Sequence, residues 1–77
     1  MKIFIKNEQE LRKLLLIKGF SQRSLARKAA ISEPYIYQII SGDRNPSGKT
    51  ANRICKALNV DFEDIFFIKD AYKSKII

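Results

Sequence analysis

Between Ser32 and Lys49 the chain gathers side chains that can recognise but not transform: Glu33, Pro34, Tyr35, Tyr37 and Gln38, then Ser41, Arg44, Asn45, Ser47 and Lys49. A similar group, Ser21, Gln22 and Arg23, precedes them. These are amides, hydroxyls, rings and cations, suited to hydrogen bonding, stacking and neutralising negative charge. Reactive constellations are not visible. The chain has no histidine, which removes imidazole acid–base chemistry and His metal sites. Its eight acidic residues are scattered, no pair stands in a catalytic setting, and no Gly-rich phosphate loop occurs. An enzyme is therefore not expected, nor a metal or cofactor. Cys55 is the single cysteine, so an internal disulfide is impossible. It reads as a small core residue, with a redox sensor as the lesser alternative.

Charge sharpens the binding interpretation. The net charge is +7, and it is unevenly spread. Residues 21–56 carry Arg23, Arg27, Lys28, Arg44, Lys49, Arg53 and Lys56 against Glu33 and Asp43, whereas 61–70 is acidic. A polyanion partner is the simplest use of that asymmetry; a solvated basic surface is the alternative. Two short helices around a tight turn fill Ser21 to Gly42, the second opening at Ser32. In a strongly basic chain, that is how a DNA-reading helix pair looks in sequence.

The elements that must hold these residues can be placed from caps and periodicity. Seventy-seven residues with 45% hydrophobic content suit one small helical domain, 1–77, with its core over 7–66. Asn7 caps a first helix to about Lys18, with Glu10 as the acidic partner of a capping box and Gly19 as terminator. Leu11, Leu14 and Leu15 share a face; Leu16 and Ile17 widen it. Ser21 caps a helix of about 22–29 that buries Leu25, Ala26 and Ala29. Ser32 caps the reader helix, about 32–41, with Pro34 harmless in its first turn and Ile36, Ile39 and Ile40 inward. Gly42 stops it. Ser47 caps a fourth helix to Leu58, burying Ala51, Ile54, Cys55 and Leu58, and Asn59 follows it. Asp61 caps a last short helix with Phe62 and Ile65. The β-prone runs Lys2–Lys6 and Phe66–Lys69 are expected to pair as a small antiparallel ribbon covering Leu16 and Ile17, or else to lie as coil with docked aromatics. A basic tail ends the sequence. No run is long enough to span a bilayer, and no secretory signal is visible, so a cytoplasmic location is expected.

From Leu11 to Ile65 the sequence resembles the Xre/Cro-type helix-turn-helix domain of phage repressors and bacterial regulators. The resemblance is carried by Lys18-Gly19, Ser21-Gln22, Leu25-Ala26, Ile31-Ser32, Ile36, Ile39, Gly42, Arg44-Asn45-Pro46-Ser47, Ile54, Ala57-Leu58 and Val60. Each motif is weak alone; their order and spacing are strong. The implied fold is all-α, a compact five-helix lambda-repressor-like domain. Three departures stand out. Ala30 occupies a turn position that is usually Gly, at a cost of about 1 kcal/mol if the backbone there is left-handed. Gly48 replaces a large apolar residue. Leu15 and Ile40 stand where many relatives place an Arg–Glu pair, as if an ion pair had become a packed contact, an exchange that costs little when the pair is buried.

The resemblance implies that the third helix enters the major groove of double-stranded DNA. Glu33, Pro34, Tyr35, Tyr37 and Gln38 would then face base edges. Gln38 is the foremost candidate, because an amide can bond an adenine edge in two places. Glu33 can accept from a cytosine amino group or merely offset helix N-terminal charge. Tyr35 and Tyr37 can meet thymine methyls and phosphates, or be partly buried or form a dimer contact. Pro34 meets a methyl group or shapes the helix start. Ser21, Gln22, Arg23, Ser41, Arg44, Asn45, Ser47 and Lys49 would contact the DNA backbone from helix starts and the loop after the reader. Arg27, Arg53 and Lys56 read better as solvated charge. A sequence-specific transcriptional repressor acting as a homodimer follows, with no small-molecule effector expected. Its dimer surface is sought in the ribbon or in Phe62, Phe66 and Phe67. The alternative is an antitoxin-like interaction module that binds DNA secondarily.

Overall fold

The computed structural model describes residues 1–69; the expected basic tail lies outside them. The order is β1 (Lys2–Ile5), α1 (Glu8–Lys18), α2 (Gln22–Ala29), α3 (Glu33–Ser41), α4 (Gly48–Leu58), α5 (Phe62–Ile65) and β2 (Phe66–Lys69). Five helices and a two-stranded ribbon thus match the expected all-α architecture with a terminal ribbon.

Helix boundaries follow side-chain caps. The Glu10 N–H donates to Asn7 Oδ1 at 3.0 Å, and the Tyr35 N–H to Ser32 Oγ at 3.3 Å. The Thr50 N–H donates to Ser47 Oγ at 3.2 Å. Ser21 and Ser24 cap reciprocally: each backbone N–H donates to the other's hydroxyl, at 2.8 and 3.0 Å. Each such cap satisfies an otherwise orphaned donor and contributes about 1 kcal/mol. Left-handed residues close the first four helices. Gly19 and Gly42 adopt φ of 79° and 86°, and so do two residues with side chains, Ala30 and Asn59, both at φ 60°. Ala30 therefore carries the anticipated strain, about 1 kcal/mol relative to Gly. Gly48 opens α4 with nothing near the place of a Cβ.

The core is a single cluster drawn from every helix. Leu11, Leu15, Leu25, Ala26, Ala29, Ile36, Ile39, Ile40, Ala51, Ile54, Cys55, Ala57, Leu58, Ile65 and Phe66 are buried together. Small residues in α2 and α4 let neighbouring helices approach closely. Leu15 and Ile40 both lie in this cluster, at 4% and 1% exposure. The positions that could have held an ion pair are dry and apolar.

The ribbon pairs β1 and β2 antiparallel, with Ile3 opposite Ile68 and Ile5 opposite Phe66. It is fastened to the helices where the Lys6 N–H donates to the Ile65 carbonyl at 3.0 Å. Two expectations need correction. First, the ribbon does not cover Leu16 and Ile17, which are 79% and 73% exposed. It attaches at the start of α1, and those residues lie about 13 Å further along the helix rise. Second, Phe66 is not a surface aromatic. It is fully buried at the junction of α5 and β2 and is among the largest enclosed side chains. Phe67, one residue on, turns outward and stacks on Phe4 with centroids 5.5 Å apart, as alternation along a strand requires.

Candidate nucleic-acid interface

α3 presents two faces. Ile36, Ile39 and Ile40 bury one, and the other carries Glu33, Pro34 and Tyr37 in the open with Tyr35 and Gln38 half-buried. Spacings of three and four residues put Pro34, Tyr37, Gln38 and Ser41 on one side of the helix. α2 packs on α3, and Ala30 and Ile31 make the turn between them. The Ile31 N–H donates to the Ala26 carbonyl at 2.9 Å, which closes the end of α2 at that turn.

Two pairings on this surface were not foreseen. Arg23 Nε lies 3.5 Å from Glu33 Oε1, linking the start of α2 to the start of the reader. Both side chains are well exposed, so the pair contributes at most about 1 kcal/mol and can open for a ligand. Arg23 thereby offsets the carboxylate that would otherwise repel a phosphate. The second pairing is tighter. Arg44 Nη1 donates to Gln38 Oε1 at 3.2 Å, while the Arg44 guanidinium sits 5.1 Å from the Tyr35 ring centroid. The backbone reinforces it: the Asp43 and Arg44 N–H groups donate to the Gln38 carbonyl at 2.9 and 3.1 Å. Gln38, Tyr35 and Arg44 therefore form one unit.

The residues expected to hold phosphates separate into groups. Ser21 and Gln22 sit at the start of α2, with Ser21 occupied as its cap and Gln22 half-buried. Ser47 and Lys49 sit at the start of α4, Ser47 as its cap and Lys49 exposed. Ser41 is turned into its own loop, its hydroxyl 3.2 Å from the Gln38 carbonyl and 3.3 Å from Asp43 Oδ2. The Asn45 Nδ2 donates to the Ile3 carbonyl at 2.9 Å, tying the post-reader turn to β1. Asn45 is thus primarily a tether. That contact brings Met1, Lys2 and Ile3 to the rim of an open cleft shared with Tyr35, Arg44, Asn45 and Ser47. Sequence reasoning missed the ribbon's place beside the reader, because nothing local to either segment reveals it.

Cys55 is removed from this surface. Its thiol is pushed up to about 11, first by burial and then by the carboxylates of Asp64 and Asp61. It stays protonated at neutral pH and is a poor target for oxidation. Among the described residues, no three metal-ligating side chains gather, and no helix is long and apolar enough to cross a membrane.

Known proteins resemble this chain in sequence and in fold. A helix-turn-helix family model matches residues 11–65. An uncharacterized HTH-type transcriptional regulator of Mycobacterium tuberculosis is 39% identical over 46 residues, which is 60% of this chain and 33% of the relative. The chain thus spans about a third of that relative's length. A second, from Bacillus subtilis, is 33% identical over 52 residues, 68% of this chain and 79% of the relative. The crystal structure of the restriction-modification controller protein C.AhdI from Aeromonas hydrophila superposes with a TM-score of 0.68 at 30% identity, covering 74% of this chain and 86% of that one. The family match spans well over half of the sequence, and the reader helix, its turn and its flanking caps all fall inside it: the chain belongs to the Xre/Cro-type helix-turn-helix family.

Proposed function

We propose that this protein is a sequence-specific, double-stranded DNA-binding transcriptional regulator and not an enzyme, acting as a homodimeric repressor on a palindromic operator in the cytoplasm. The observation that carries the reading is the outward face of α3. Glu33, Pro34 and Tyr37 stand clear of the core there with Gln38 half-buried beside them, and Arg23 meets Glu33 on one side while Arg44 meets Gln38 on the other. Tyr35 joins them through Arg44. Those five α3 residues face bases, with Ser21, Gln22, Arg23, Ser41, Asn45, Ser47 and Lys49 toward the backbone and Arg44 between the two groups. The names of the relatives, transcriptional regulators and a controller protein, support the same reading. Two copies with readers about 34 Å apart would meet successive major grooves on one DNA face. No cofactor or small-molecule effector is invoked, because the concentration of dimer suffices as a control variable.

The test is selection from a random DNA library with purified protein at two salt concentrations. A palindromic motif is expected. Salt-sensitive binding with no motif leaves only nonspecific polyanion affinity and removes the reading. Exposed Leu16 and Ile17 favour a second reading, an antitoxin-like module that engages a protein and binds DNA secondarily. Stable copurification with another protein, lost on Leu16→Ser and Ile17→Ser, would support that one instead.

A further inference from the structure

We infer that Arg44 is a positioning residue for Gln38 rather than a phosphate clamp, and that the pair directs the reader toward guanine instead of adenine. The inference rests on the proposal that α3 reads DNA. Arginine has no acceptor, so only the carbonyl end of the Gln38 amide can face it. The 3.2 Å contact from Arg44 Nη1 therefore sets the amide's orientation, with Oε1 toward the guanidinium and Nε2 away. Arg44 is itself fixed twice over. Its guanidinium stacks against the Tyr35 ring at 5.1 Å, and its backbone N–H donates to the Gln38 carbonyl at 3.1 Å. A long exposed arginine is ordinarily free to follow a phosphate; this one is held beside the amide it orients.

The chemistry at the base edge follows. An isolated glutamine reads adenine by accepting from N6 and donating to N7. Here the accepting end lies beside a cation, so an adenine N6 amino group placed there would meet guanidinium N–H donors. With Oε1 turned to Arg44, the end of the Gln38 amide left for a base edge is the Nε2 donor. Guanine offers two acceptors, N7 and O6, and is the major-groove purine edge that complements it.

The experiment measures binding of the full chain to its selected operator and to every single base-pair change in it, at several salt concentrations. Gln38→Ala defines the position that Gln38 reads, as the one where discrimination disappears. That position is expected to be a G·C pair, preferred over A·T by roughly tenfold or more. Arg44→Ala is expected to lose discrimination at the same position and leave the slope of binding against log salt within half a unit of the wild type. Arg44→Lys should restore part of the preference. Circular dichroism confirms that the variants fold. An A·T preference at the Gln38 position overturns the guanine assignment. Uniform weakening on all sequences by Arg44→Ala, with a slope flatter by about one, overturns the positioning role and makes Arg44 a phosphate contact. If the wild type selects no motif at all, the DNA-reading proposal itself fails, which is a different outcome from either.

Discussion

Between Ser21 and Ser47, almost every side-chain hydrogen bond joins residues two to six positions apart. The ribbon, by contrast, joins Lys2–Ile5 to Phe66–Lys69 across nearly the whole described chain. The reader region turns polar groups outward and links them to one another. The ribbon buries one large ring, Phe66, leaves Phe67 and Ile68 exposed, and places Lys2 opposite Lys69 at its open end. A local network can be altered at one residue without threatening the core. A long-range closure is cooperative with the core and cannot. Function and stability are thus assigned to different regions, and substitutions can test how cleanly they separate.

The sharpest contrast is Phe66→Ala against Tyr37→Ala. Removing the enclosed ring should cost about 3–5 kcal/mol, measured by denaturant unfolding. Removing the 52% exposed Tyr37 should change stability by no more than about 0.5 kcal/mol while weakening DNA binding. A large stability loss at Tyr37 would break the division.

On the ribbon side of the core, Cys55 adds a pH dependence. Its folded pKa, about 11, exceeds the ordinary value of 9.0. Well below pH 9.0 both states keep the proton and the thiol has no effect on the slope. As pH rises further the unfolded chain releases its proton first, so stability falls, by about 1 kcal/mol at pH 10, and levels off only above the folded value. Thermal unfolding from pH 8 to 11 should therefore be steeper for the wild type than for Cys55→Ala. Parallel curves would show that the thiol titrates alike in both states.

How much of this was legible follows from the same contrast. Asn7, Ser21, Ser32 and Ser47 announce their helices because a cap acts over three residues. Gly19, Gly42 and Asn59 end helices for an equally local reason. The α3 apolar face is read from spacing alone. The resemblance to a family flagged Ala30 and the dry Leu15 and Ile40 positions. What stayed hidden depends on distant partners or on a choice among rotamers. Phe66 looks like its neighbour Phe67 until the strand register decides which points inward. Leu16 and Ile17 look buried until the ribbon is seen to attach at the other end of α1. Nothing in the sequence says that Arg44 would stack on Tyr35 instead of extending to solvent.

Two smaller effects sharpen the comparison further. Ala30→Gly relieves the left-handed strain at φ 60° in the turn of the reader region. It should raise stability by about 0.5–1 kcal/mol, read as a higher unfolding temperature, with base preference unchanged. A loss of stability would mean that the greater freedom of glycine in the unfolded chain outweighs the relief. In the ribbon, Lys2→Glu converts like charges directly opposite into an attractive pair across from Lys69. It should add a few tenths of a kcal/mol at low salt and nothing at high salt. A salt-independent gain would point to packing instead of charge.

The Asn45 tether has a consequence in time. Its acceptor, Ile3, is translated 42 residues before it, and the strand that completes the ribbon is translated later still. Caps at Ser21 and Ser32 let α2 and α3 form as soon as their own residues are made. The Asn45 bond to the Ile3 carbonyl, by contrast, needs β1 to be in place beside the turn. The caps of the reader helix are thus made of residues synthesised together, whereas the tether and the ribbon need residues synthesised far apart.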